Sequence, residues 1–171
     1  MPKGLSKPSS VVAIGFDVTE TAPNLFEQTQ VDLNLSALDN EVFVVLAIDL
    51  NLAEPDSIAG LNTAVSASLT STSQTAVQNL SNSNCMAVAR SALRTNAAAT
   101  DSGAPFFYSS TETPAAMVEY IGIIATNDFF VQVEGTGNAG PKQVTGKLYG
   151  YRAVADASVY SALVQSEVLS A

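Results

Sequence analysis

Apolar residues recur at every second position in segment after segment, and this period restricts the chain to pleated sheet more than any other feature. Val31, Leu33 and Leu35 alternate with Asp32, Asn34 and Ser36. Leu61, Thr63, Val65, Ala67 and Leu69 alternate with polar or small neighbours. Side chains two residues apart share one face of a strand, so both segments predict half-buried strands. Residues 41–53 (EVFVVLAIDLNLA) start apolar on both faces and then alternate, with Ile48, Leu50 and Leu52 set against Asp49 and Asn51. That pattern predicts one long strand, central at its start and edge-like or bent at its end. In the second half, residues 118–125, 129–134 and 143–153 read as three strands joined by short turns, an antiparallel meander.

Two segments depart from this period. Residues 83–95 fit both templates: Ser83 or Asn84 could cap an alanine-rich helix, yet Met86, Val88 and Arg90 also alternate. The surrounding strands favour strand. In residues 156–171, Tyr160, Leu163, Val164 and Val168 fall at helical spacing behind Asp156 or Ser158 as cap, which predicts one helix of about three turns. Its apolar stripe must cover either the sheet or a neighbouring subunit. Roughly eight strands near ten-residue spacing plus this helix predict an all-β fold, a β-sandwich or barrel. With 171 residues and no break in composition, a single domain spans 1–171. Residues 1–10, rich in Pro and Ser, read as a flexible N-terminal arm, and 156–171 as a helical tail.

Composition removes whole classes of function. The chain has no histidine, no tryptophan and one cysteine. Disulfide scaffolds, zinc clusters and histidine-based triads are therefore excluded. Charged residues make up only 13%, against 47% hydrophobic. The net charge is −9, and acids run from Asp17 to Asp56 with no base between Lys7 and Arg90. Such a surface repels phosphate backbones, so tight nucleic-acid binding is not expected. The longest apolar run, residues 42–48, suits a buried strand rather than a membrane span. Residues 11–16 are too short for a signal-peptide core, so no secretion is expected.

The candidate sites are few. Gly135, Gly137 and Gly140 complete a literal G-x-G-x-x-G after a strand, but Pro141 and a β-patterned segment follow instead of the required helix. A hairpin loop is the simpler reading. Asp49, Asn51, Glu54 and Asp56 form an oxygen-rich cluster whose donors suit calcium, although their spacing fails the EF-hand template and a solvated acidic turn is the commoner outcome. No cofactor is therefore expected, and calcium alone finds candidate ligands in the sequence. The 16 acids favour no particular glycosidase pair, and Ser109, Ser110 and Thr111 read as loop residues without an activating partner. Phe106, Phe107 and Tyr108 read as strand anchors. Cys85 reads as a small apolar residue, since no histidine can activate it. Tyr149 and Tyr151 share one strand face and could stack on a sugar, though packing is the commoner use.

The passage NDFFVQVEGTGNAGPKQVTGKLYGYRA (127–153), with NEVFVVLAIDL (40–50) before it, resembles virus-type structural proteins and similar small single-β-sandwich capsid subunits. The resemblance implies an antiparallel sandwich of jelly-roll type, without enzymatic activity. It also implies assembly with copies of itself and with other virion proteins, and location in the virion after synthesis in a host cytoplasm. The basic genome-binding arm of many such shells is absent here. Low charge agrees with extensive subunit contacts, because obligate interfaces are depleted of charge. Residues 1–12 and 156–171 are the segments expected to mediate assembly. The alternative from another class is a carbohydrate-binding β-sandwich, calcium-dependent through the Asp49–Asp56 acids and built on Tyr149 and Tyr151.

Overall fold

The structure, a computed structural model, describes residues 2–95, the backbone of 106–112, and residues 118–170. Among the described residues, ten strands form two antiparallel sheets packed as a sandwich. In chain order they are β1 (Leu5–Ser6), β2 (Val12–Thr19), β3 (Glu27–Asp32), β4 (Glu41–Leu52) and β5 (Thr63–Thr70). Then follow β6 (Cys85–Arg94), β7 (Phe106–Glu112), β8 (Gly122–Ile124), β9 (Asp128–Thr136) and β10 (Gln143–Ala155). The α-helix α1 (Ala157–Leu169) follows β10, and a short 3-10 turn (Ala37–Asp39) precedes β4. One sheet runs β2-β10-β4-β8, with β1 beside β2 on the same flank of β10; the other runs β3-β9-β5-β6-β7.

The pairings nest. β2 pairs β10, β3 pairs β9, β4 pairs β8 and β5 pairs β6, all antiparallel. Such a nested ribbon, rolled into two sheets, has the strand order of a jelly roll. It also overturns the expected meander. Residues 118–125, 129–134 and 143–153 do not pair in succession, because β8 and β10 lie in one sheet and β9 in the other. Their short connections cross the sandwich. Local alternation cannot distinguish a turn that stays in a sheet from one that leaves it.

Both sheets direct one row of side chains into a common interior. Phe129, Val131 and Val133 of β9 meet Val144 and Leu148 of β10, Phe43 and Val45 of β4, and Val65, Ala67 and Leu69 of β5. Phe16 stands edge-on to Phe129, with ring centroids 5.8 Å apart at 76°. Inside β4, the register against β10 shifts between Tyr149 and Gly150 and passes over Leu46. This bulge reverses the inward parity. Phe43 and Val45 face the core before it, and Ile48 and Leu50 face it afterwards. The inner row of β10 reads Val144, Gly146, Leu148, Gly150, and both glycines are required by contact. A Cβ on Gly146 would strike the Asp49 carbonyl oxygen and come within 2.6 Å of the Phe16 ring. One on Gly150 would strike the Val44 carbonyl oxygen and the Phe43 ring.

Several boundaries differ from the sequence expectation. The strand expected through Leu35 ends at Asp32, because Asn34 adopts a left-handed φ of 52° and Asn127 captures the chain beyond it. The Leu33 N–H donates to the Asn127 carbonyl at 2.7 Å and the Leu35 N–H to its side-chain oxygen at 2.6 Å. The strand expected over 118–125 shortens to Gly122–Ile124. The ambiguous segment 83–95 resolves to strand over Cys85–Arg94, in β6. Ser109, Ser110 and Thr111, expected in a loop, lie within β7.

The helix covers its own sheet. The Asp156 carboxylate caps it by accepting from the Val159 N–H at 2.8 Å. Val159, Tyr160, Leu163 and Val164 then pack on Leu5, Val42, Val44, Ala153 and Ala155 on the outer side of that sheet. This is why β4 starts apolar on both faces. Leu5 is buried, β1 pairs with Val154 and Ala155, and the Ser9 N–H donates to the Arg152 carbonyl at 2.8 Å. Within the segment expected as an arm, Leu5, Ser6 and Ser9 lie alongside β10. Both terminal segments keep apolar side chains exposed on their outer sides, Val11 and Val12 in one and Val168 and Leu169 in the other. Val168, placed in the stripe by sequence, is 60% exposed. Its place is taken by Glu167, whose buried carboxylate accepts the Ala125 N–H at 3.1 Å and the Thr126 N–H at 3.0 Å. Burial raises the Glu167 pKa against the opposing pull of those hydrogen bonds.

Two measurements test this packing. Gly146→Ala and Gly150→Ala should each lower the unfolding free energy by about 2 kcal/mol or more, as overpacked cores do. Gly140→Ala, whose Cβ would meet nothing within 4 Å, is the control and should be nearly silent in the same urea titration. Because the Glu167 pKa is raised on folding, its contribution is fully present below the ordinary value of 4.5 and lost as pH rises through the folded value. Glu167→Gln keeps an acceptor for both N–H groups and should remove that part of the pH slope. An unchanged slope would refute the assignment.

Candidate functional site

The G-x-G-x-x-G segment connects β9 to β10 across the top of the sandwich, and its backbone amides already face anions of the protein itself. Glu20, directly after β2 and 3% exposed, accepts the Gly135 N–H at 2.6 Å and the Lys142 N–H at 2.7 Å. The Asp56 carboxylate accepts the N–H groups of Ala139 and Gly140 at 2.9 and 3.2 Å. Its other oxygen meets Lys142 Nζ at 2.6 Å. Within the loop, Asn138 donates its side-chain amide to the Ala64 carbonyl and accepts from the Asp56 N–H. Asn24, at φ 60°, and Asn138 exchange side-chain-to-backbone hydrogen bonds at 2.7 and 2.8 Å. Backbone amides of a glycine-rich loop attract anions. Here side-chain carboxylates fill that role, and a phosphate would have to displace them.

The four calcium candidates are thereby separated in role. Asp56 is held in the ion pair and loop contacts just described. The Lys142 hydrogen bond, followed by those from Gly140 and Ala139, holds its carboxyl below the usual carboxylate range. Asp49 and Asn51 are exposed on the outward row of β4, and Glu54 is exposed beyond the strand end. Among the described residues, no three His, Cys, Asp or Glu side chains are grouped so as to hold a metal ion.

The tyrosine pair is divided as well. Tyr151 packs into the cluster under α1, while Tyr149 lies outside that cluster. Beside it, the part of the sheet that α1 leaves bare forms a shallow depression of about 370 Å³ lined by Gly15, Asp17, Asp49, Thr145 and Lys147, with Phe16 and Gly146 at its floor. Cys85 is half-buried at the start of β6, and burial pushes its thiol up to about 11. Thiolate is therefore scarce near neutral pH, in keeping with a packing role. Phe106, Phe107 and Tyr108 begin β7, and their side chains lie outside the described residues.

Sequence reading missed the residues that organise this region. Gln132 is fully buried on the outer side of its sheet, accepting from Ser68 at 2.8 Å and donating to Thr70 at 2.7 Å and Gln28 at 2.9 Å. Ser68 and Gln28 in turn accept the N–H groups of Gln78 and Gln74, which seat the 71–84 loop on this face. Glu20 and Asn24 carry no motif. The only available hint was the loop itself, whose backbone N–H groups need acceptors from elsewhere.

Glu20→Ala would strip the acceptor from two buried N–H groups and should cost about 3 kcal/mol in urea unfolding. Because the Asp56 pKa is depressed on folding, its contribution is present above its ordinary value of 3.8 and lost as pH falls through the lower folded value. Asp56→Asn should therefore flatten the acid limb of the stability curve and leave the rest of its pH dependence in place. An acid limb of unchanged steepness would show that the pair contributes nothing. No protein-family model matches the chain, and comparison with curated proteins finds no match.

Proposed function

We propose that this chain is a non-enzymatic structural subunit that assembles with copies of itself into a capsid-type shell within a virion. The observation that carries this reading is the outer edge of β2. β2 is eight residues long, pairs only with β10 among the described residues, and carries one charge, Asp17. A long edge strand offers unpaired N–H and C=O groups to other chains, and proteins that stay monomeric block such edges with charges, prolines or bulges. β3, the neighbouring edge, carries Glu27 and Asp32 at its two ends. β8, at the far edge, is only three residues long. β2 has no comparable guard.

Three further features support assembly. Jelly-roll sandwiches recur among capsid proteins and lectins. A surface poor in charge loses little on entering an interface. Leu38 is 98% exposed, Leu169 84% and Val11 59%, and each would be covered in a shell. The carbohydrate-binding alternative is weaker, because Tyr151 is occupied under α1 and Asp56 is tied to Lys142. The reading requires no cofactor, no membrane and no direct genome contact.

Size-exclusion chromatography with light scattering, followed by negative-stain microscopy, tests the proposal. Rings or closed shells are the expected result. A monomer that persists at high concentration overturns it.

A further inference from the structure

We infer that two copies of this chain pair through β2, antiparallel and in one register, with Gly15 facing Gly15 of the partner subunit. This inference rests on the assembly reading above and specifies its first contact. A β-strand edge presents alternating donors and acceptors, and another strand is the occupant that matches them along its whole length. The sequence of β2, Val12 to Thr19, fits itself when reversed. Its inward row is Val12, Ile14, Phe16 and Val18; its outward row is Ala13, Gly15, Asp17 and Thr19.

If the two interiors are to lie on the same side, inward residues must face inward residues. With Gly15 at the twofold axis, Val12 then meets Val18 of the partner subunit and Ile14 meets its Phe16. Val12, 43% exposed, gains cover from Val18, which is buried at the rim of the core. On the outward row, Asp17 faces Ala13, so no like charges meet. A shift that centres the axis on Asp17 sets the two carboxylates against each other. A shift that centres it on Phe16 sets Val12 against the buried Glu20. The Gly15 register avoids both faults, and nothing lies within 4 Å of where a Gly15 Cβ would stand. Two half-sandwich edges would thus join into one sheet running through both subunits.

The register predicts a charge-swap pattern, read by light scattering and sedimentation across a dilution series. Ala13 and Asp17 are exposed and lie four residues apart on one strand, so substitutions there leave the fold intact. Ala13→Glu places two like-charge pairs across the axis and should weaken dimerisation about tenfold. Asp17→Lys alone should change it little, and the double variant Ala13→Glu/Asp17→Lys should restore the wild-type affinity. Circular dichroism of each variant confirms the fold. Wild-type assembly with all four chains associating equally would overturn the β2 register and leave the shell reading standing. Dimers that follow the charge pattern but never form shells would support the register and overturn the shell. A wild-type monomer would overturn both.

Discussion

The interior depends on how closely the backbone of β10 approaches two phenylalanine rings. β10 is the longest strand and is paired on both flanks, by β2 and β4. Its inner row alternates valine or leucine with glycine, and the rings of Phe16 and Phe43 lie against those glycines. Phe16 then meets Phe129 edge-on, which ties the first sheet to the second. Were the glycines larger, the rings would have to move outward. The sheets would separate, and the close contact that excludes water would be lost. The bulge at Leu46 serves the same end, since it keeps the β4 side chains directed inward along a strand too long to stay in phase with the core.

The second principle of the structure is that its acids hold backbone rather than ligand. Glu20 and Asp56 organise the glycine-rich connection, Asp156 caps the helix, and Glu167 fixes the far end of that helix to the β8–β9 turn. In each case a carboxylate accepts N–H groups that the sheet or helix ladders leave unpaired. Charge-assisted bonds of this kind are stronger than neutral ones. Of the residues that sequence alone reads as a calcium set, Asp56 is part of the loop architecture, while Asp49, Asn51 and Glu54 stay on the surface.

Much of the fold was legible because alternation is local. Strand identity followed directly for residues 41–53 and 61–69, and the tail helix with its cap followed from spacing. The ambiguous 83–95 resolved to strand because its neighbours on both sides are strands, so it completes a sheet already begun. What was not legible is non-local. Nothing in 118–153 reveals that each short turn changes sheet, since a period of two is the same in either. Asn34 could not be recognised as a strand terminator without Asn127, 93 positions away in sequence, to receive the chain. Gln132 falls on the outward, mostly polar row of β9, yet it is buried because the 71–84 loop folds over it. Of the candidate site, the loop was visible but the carboxylates that fill it were not, because Glu20 and Asp56 reach it only through the nested pairing.

Nesting also determines where the molecule remains unfinished. A rolled ribbon buries its middle strands between two neighbours but leaves its first strands at an edge, and β2 is the outermost strand of the first long pair. α1 covers part of the outer face of that sheet and stops short of β2, whose outward row is small and nearly uncharged. Covering the β2 edge from within would require one more strand beyond it, and β1 instead continues the line of β2 along β10, beside Val154 and Ala155. In the proposed dimer, an equivalent strand from a second copy would supply that ladder at no cost in chain length. The same economy reaches the surface as a whole: with charge confined to 13% of residues, hydration falls to Ser, Thr, Asn and Gln, which are less costly to desolvate than carboxylates and amines. Such a surface is what the proposed contact between copies would require.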